Sequence, residues 1–310
     1  MNNYIKAYEY ESNVNPLLNP IPIVKKHPSE FEYGISFIEF NGLYNINYKA
    51  TTPNLLASFI KLKSNTKYNE SNNLINNYIN GSSHLFYIIS GKCEIILQKY
   101  EDCFPSEKEE IFNLSSEDLF VSSFYNYICI KNIGTEELII YYINDSPLIN
   151  YLGCKPNKEI FKSCVYSKEF IYENLIKLSN PNNNRKGILL SNLDTEIIGT
   201  NTITPVLWSL YNELPPNTNQ RPHKHNSVAL DLCITSNDSE NIYTLVGKEL
   251  DLDGNIIDPV KVYWKTSEMF ITPPDLWHSH HNNSNTFAYI LPIQDAGLLL
   301  YQRILGINIK

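Results

Sequence analysis

The chain has 310 residues, of which 43% are apolar and only 19% charged, with a formal net charge of -8. Such a length buries a substantial core without covalent staples, and such an acidic balance argues against a phosphate-tracking surface for nucleic acid or anionic membrane. The opening MNNYIKAYEYESN puts acidic and polar residues where a secretory leader needs an apolar core, and no run approaches 18 apolar residues, so a soluble cytoplasmic protein is expected. Six cysteines (Cys93, Cys103, Cys129, Cys154, Cys164, Cys233) form no CxxC pair, which disfavours a zinc knuckle or disulfide framework and predicts mostly small buried hydrophobes.

In chain order, TPNLLASFIKLK (52 to 63) predicts a helix with Pro53 in its first turn. HLFYIIS, CEIILQKY, LFVSSF, YICIKN and ELIIYYI follow, short β-branched and aromatic runs separated by Asn, Gly, Pro and Ser, hence strands. SKEFIYENLIKLS (167 to 179) spaces Phe170, Ile171, Leu175, Ile176 and Leu178 as one side of a helix, with Ser167 or Ser163 as its cap. After an Asn-rich loop at 180 to 184 come further strands in VLWSLYNEL, SVALDLCI, NIYTLVG, VKVYW, EMFITP and FAYILPI. DLDGN lacks the spacing and terminal Glu of a calcium loop and predicts an Asp-Gly hairpin turn. The close spacing of short strands predicts an all-β sandwich or barrel. The expected division is an N-terminal domain over 1–150, a connector with a helix over 151–200 and a C-terminal domain over 201–310.

The two strand blocks repeat one another. Aligning EDLFVSSFYNYICIKN from Glu117 with SEMFITPPDLWHSHHN from Ser267 sets Ser123 against Pro273, Ile128 against His278 and Asn132 against Asn282. A duplicated β-module follows, whose first copy lacks metal ligands.

Five of the seven histidines crowd into RPHKHNSVALDL (221 to 232) and PPDLWHSHHN (273 to 282). On an extended strand His223 and His225 point to one face and Lys224 to the other. The prolines before His278 reverse the chain, so that His278 faces back toward that pair, with His280 at the same parity. Three imidazoles on one metal leave positions open for substrate and dioxygen or water. His281 is expected at the surface or bonded to the turn, and His27 and His84 stand alone as structural or exposed residues.

These residues resemble the cupin superfamily, whose motifs have the form G-x5-H-x-H-x3,4-E-x6-G and G-x5-P-x-G-x2-H-x3-N. Asn217, His223 and His225 match the opening of the first; Ser267, Pro273, Asp275, His278 and Asn282 match the second. Three glycines are thus replaced by Asn217, Ser267 and Asp275, of which Asn and Asp tolerate left-handed turns. The tandem copies resemble bicupins, and the His223–His225–His278 set with Trp277 and His280 beside it is most similar to the gentisate 1,2-dioxygenase group. The resemblance implies two double-stranded β-helix (jelly-roll) barrels in tandem with a few short helices, a three-histidine Fe(II) site, and cleavage of a gentisate-like hydroxylated aromatic acid by dioxygen. Zn, Mn or Ni are the alternative metals, and a homo-oligomer, a dimer in particular, is implied by analogy. Those dioxygenases usually carry the working site in the first cupin, whereas here it falls in the second, leaving the first as a structural or dimerising half.

No Glu lies three or four residues beyond His225; Asp231 is the nearest carboxylate, weighed as a fourth ligand, a hydrogen-bond partner or a structural group. Asp231 and His280 are the candidate proton shuttles. Arg221 and Gln220 are candidate carboxylate partners, Trp208 and Asn212 candidate cavity walls, and Tyr289 and Gln294 weaker ones. Competing readings are a metal-holding bicupin without turnover, serving small-molecule binding or regulation, a Zn or Mn isomerase or epimerase, and a metal-free structural protein.

Overall fold

A computed structural model describes residues 4–64, 67–69, 79–101, 104–125, 127–178, 180 and 183–310. Cys103 and most of the Asn-rich run at 70 to 78 lie outside the described residues. Four antiparallel sheets form two facing pairs. In the N-terminal half a six-stranded sheet runs Cys164–Tyr166, Leu119–Ser122, His84–Ser90, Leu138–Asn144, Leu56–Leu62, Gly34–Ile38. Its partner runs Lys67–Asn69, Tyr127–Asn132, Lys92–Glu101, Phe104–Ser115. In the C-terminal half the corresponding six strands are Lys25–Lys26, Met269–Thr272, Ala229–Thr235, Ala288–Gln294, Trp208–Leu214 and Lys186–Leu190. The facing sheet runs Val260–Tyr263, Ile242–Gly247, Trp277–Asn282, His223–His225, Ile307–Ile309, with Thr218–Asn219 also on Trp277–Asn282.

None of these sheets closes on itself, so the expected barrels are corrected to open double-sheet modules: each sheet ends in edge strands that pair on one side only. The connector supplies a strand to each half, Cys164–Tyr166 pairing with Leu119–Ser122 and Lys186–Leu190 with Trp208–Leu214. No helix among the described residues is long and apolar enough to cross a membrane.

The helix expected over 52 to 63 is instead the strand Leu56–Leu62, buried at every position but Lys61. A strand covered on both faces reads as a continuous apolar run, in which helical and extended periodicity cannot be told apart. The helix Lys168–Leu178 forms as its pattern predicts, and the Ser167 hydroxyl accepts from the Phe170 amide at 3.1 Å, whereas Ser163 bonds Ser122 instead. Only Ile171 and Leu175 of its apolar side are buried; Phe170, Ile176 and Leu178 remain exposed because the helix meets little more than the strand Lys186–Leu190.

The duplication is visible in register and burial. Tyr127–Asn132 and Trp277–Asn282 share one burial pattern, as do Leu138–Asn144 and Ala288–Gln294. Asn132 Nδ2 donates to the Leu62 and Glu136 carbonyls, and Asn282 Nδ2 to those of Leu214 and Thr286. One apolar cluster joins the two six-stranded sheets, with Leu85, Tyr87, Val121, Tyr141 and Ile143 from one half and Leu230, Leu232, Ile271, Leu291 and Ile293 from the other. Inside the N-terminal module, Ile60, Phe86, Ile95, Leu97, Ile128 and Ile130 fill the space between its sheets. Inside the C-terminal module the core around Trp264, Phe270 and Ile290 occupies one end and leaves the other for a cavity.

Cys93, Cys129 and Cys233 are buried thiols, Cys164 is half-buried and Cys154 exposed. The DLDGN segment forms the expected turn, with the Asp251 carboxylate accepting from the Asp253 and Asn255 amides and Gly254 at φ 87°.

Candidate metal centre

Strand pairing brings the histidines together. The short strand His223–His225 lies antiparallel to Trp277–Asn282 with His223 directly opposite His278, and their ring centroids are 4.0 Å apart. The ligand nitrogens of His223, His225 and His278 all lie within 4.8 Å of one another. The turn before His278 is held to the first strand by the Asp275 amide, which donates to the His225 carbonyl at 2.8 Å. Asn217, Ser267 and Asp275, the residues at the motif's glycine positions, all keep left-handed backbone, with φ of 53°, 70° and 61°. The turn geometry survives the loss of glycine.

Hydrogen bonds set the ring orientations. His225 Nδ1 donates to the Ser227 carbonyl at 2.9 Å and His278 Nδ1 to that of Leu276 at 3.0 Å, so each presents an Nε2 lone pair, the form a metal takes. Ser227 in turn donates to Gln294 at 2.7 Å. The third ring differs: His223 Nδ1 lies 2.9 Å from Arg185 Nη2. Burial holds all three rings below the ordinary imidazole range, helped at His223 by His278 and Arg185 and at His278 by His225 and His280. At neutral pH they are therefore uncharged ligands. The donor set fits a divalent first-row transition metal, with no carboxylate in the cluster among the described residues.

A cavity of about 240 Å³ opens beside the triad. Its floor is the six-stranded sheet, contributing Gly187, Trp208, Leu210, Asn212, Ala229, Asp231, Pro292 and Gln294; its roof carries the four histidines with Ile307 and Ile309 from the C-terminal strand. Gly187 leaves the room Asn212 needs, since a Cβ there would stand 2.0 Å from Asn212 Oδ1.

His280 lines the cavity but not the cluster. Trp264 Nε1 donates to Thr244 Oγ1 at 2.8 Å, and the buried Thr244 hydroxyl has His280 Nδ1, 2.8 Å away, to receive its proton. His280 is thereby the Nε2–H tautomer, and burial lowers its pKa to about 3. Asp231, fully buried, also lines the cavity; Thr272 Oγ1 donates to its Oδ2 at 2.6 Å, and burial raises its pKa to about 7.

Gln220, Trp208 and Asn212 all line the cavity, and so does Gln294; Tyr289 stands apart against Tyr172 and Tyr211. The expectation for Arg221 is corrected: its side chain is exposed, and only its carbonyl reaches the site, as an acceptor for Arg185. The strand begins only at His223, and four residue steps from Asn219 to His223 face three from His281 to His278, so the alternation that gives His223 and His225 their common face does not extend back to Arg221. The cation at the site is Arg185, immediately before the strand Lys186–Leu190, and its buried Nε has no hydrogen-bond partner among the described residues. In the sequence only the aliphatic run after the Asn-rich loop signals that strand, and nothing local ties it to His223.

Trp277 packs outside, under Lys224 Nζ at 5.2 Å. His281 stacks on Tyr243 and bonds Ser279 and Asn219; His27 caps the turn at Pro28–Glu30; His84 is sealed between Tyr142 and the Gly81 carbonyl in the first module. Ile128 and Ile130 occupy there the positions of His278 and His280, which makes that interior apolar.

Neither protein-family models nor curated protein sequences give a match to this chain. Solved structures do. The salicylate 1,2-dioxygenase of Pseudaminobacter salicylatoxidans is similar with a TM-score of 0.68, covering 98% of this chain and 92% of its own at 11% identity. The same enzyme with gentisate adducts gives 0.66, covering 96% and 87% at 10% identity. A mutant oxalate decarboxylase of Bacillus subtilis gives 0.55, covering 91% and 78% at 13% identity. At such identities the likeness is one of fold: the chain has the bicupin fold, two β-modules in tandem, with a three-histidine cluster in the second.

Proposed function

We propose that the protein is a non-haem Fe(II)-dependent dioxygenase that cleaves the ring of a hydroxylated aromatic carboxylic acid. The observation that carries this reading is the pairing of three uncharged imidazoles, two buried and one half-buried, with one arginine in the lining of a ring-sized cavity. Three neutral ligands leave the metal's charge uncompensated, which favours a chelating anion such as an ortho-hydroxy carboxylate. Iron(II), when bound, supplies the electron-transfer chemistry through which dioxygen attacks a chelated ring.

The chain's own residues bind and orient. If His223 held the metal through Nε2, its Nδ1 would carry the proton and meet Arg185 Nη2 as a second donor, so the guanidinium would be free to turn toward a substrate carboxylate. Trp208, Leu210 and Pro292 give the ring flat apolar surfaces. His280, as the Nε2–H tautomer, holds a donor toward the cavity and can hydrogen-bond a substrate oxygen through it. Asn212 and Gln220 add neutral donors, and the cavity walls exclude bulk water.

Anaerobic metal analysis of the purified protein, with oxygen uptake measured against a panel of hydroxybenzoates, tests the reading. One iron per chain with substrate-dependent uptake is expected. Zinc or no metal, with no uptake after iron loading, overturns it.

A further inference from the structure

Asp231 is the group in this cavity that an ortho-hydroxy carboxylate does not explain. It is 2% exposed and faces the cavity from the floor strand Ala229–Thr235. Thr272 is the only side chain that hydrogen-bonds it among the described residues, and it does so through one oxygen, Oδ2. Among the described residues no lysine or arginine acts on its charge; burial disfavours the carboxylate and the Thr272 bond favours it. Arg185 enters from the opposite flank of the same floor, with the strands Ala288–Gln294 and Trp208–Leu214 between them. The cavity is therefore bipolar, a cation at one flank and a carboxyl at the other, with apolar surfaces between.

Thr272 bonds only Oδ2, so a ligand that brings a donor to Oδ1 gains a hydrogen bond inside the cavity. A second carboxylate or another acceptor at that end meets repulsion. A ring hydroxyl brings one donor, whereas an aromatic amine, uncharged at neutral pH, offers two N–H donors to the lone pairs that Thr272 leaves open. We propose that Asp231 is a specificity-determining residue, selecting aromatic hydroxy acids that bear an amino substituent on the ring edge away from Arg185. This rests on the dioxygenase reading for the carboxylate end of the substrate, and it adds the substituent at the other end.

Binding to the Zn(II)-loaded protein separates the two, because it needs no turnover. Isothermal titration would compare salicylate with 4-aminosalicylate and 5-aminosalicylate. One of the amino acids is expected to bind at least about tenfold more tightly than salicylate, the scale of a hydrogen bond to a charged group. In Asp231→Asn, which keeps the side-chain size, that preference should shrink to about twofold or less while zinc content stays at the wild-type level and salicylate binds no more weakly. Equal affinity of all three acids for the wild-type protein overturns the proposal and leaves the dioxygenase reading standing, as does a preference that survives Asp231→Asn. Failure of every one of these acids to bind overturns the reading beneath it, and the proposal with it.

Discussion

At the scale of single residues, the function rests on which groups share one small volume. Arg185 is the sharpest case. Its guanidinium touches a candidate metal ligand and its buried Nε is unpaired among the described residues, so Arg185→Ala should raise the KM for a ring carboxylate by at least about tenfold, with a smaller effect on kcat and unchanged metal content, in steady-state kinetics on the iron-loaded protein. Arg185→Lys should recover only part of this, since an ammonium cannot pair bidentately. Loss of iron from the alanine variant would instead mark Arg185 as a support for His223. His84 is a contrasting histidine, outside the site, whose pKa is lowered to about 3 by burial. Below pH 6.5 the unfolded chain takes up a proton there that the folded one refuses, so His84 contributes stability that is lost as pH falls from 6.5 toward 3, at up to about 1.4 kcal/mol per pH unit. His84→Gln should flatten that part of the pH profile in urea unfolding. Asp231 acts oppositely: raised to about 7, it favours the folded state at acid pH and opposes it as pH rises through that value.

At the scale of elements, the readable parts were those with one buried face or a turn of demanding geometry. The helix Lys168–Leu178 was legible from its spacing and its serine, and Ser167→Ala should cost about 1 kcal/mol in chemical denaturation, through the lost bond to the Phe170 amide. A loss near zero would mean that the helix end is carried by packing alone. The strand Leu56–Leu62 was misread as a helix because it is covered on both sides and loses its alternation. The edge strands Lys186–Leu190 and Ile307–Ile309 carry almost no pattern of their own, yet they place Arg185 and two aliphatic walls at the cavity. Asn217, Ser267 and Asp275 make the reverse point: their residue types departed from the motif while their backbone did not.

At the scale of the whole molecule, the modules are bound by one apolar cluster that includes the central strands of both six-stranded sheets. Leu230, fully buried within it, should lower stability by about 2–5 kcal/mol as Leu230→Ala, and the two halves should still unfold in a single transition. Two separated transitions by calorimetry would show that the modules are energetically independent. The open sheets answer to the same economy of surface, since each module covers one broad face with the other module and closes its interior either with isoleucines or around a cavity. What the sequence by itself determined was local and periodic: the strand-rich class, the repeat that sets Ile128 against His278, and the common face of His223 and His225. What only the tertiary structure decided was who meets whom across the chain. Arg185 in place of Arg221, Asp231 facing the cavity, and the Trp264–Thr244–His280 chain all come from strand register and sheet stacking, and those depend on packing between segments that carry no mark of one another in the sequence.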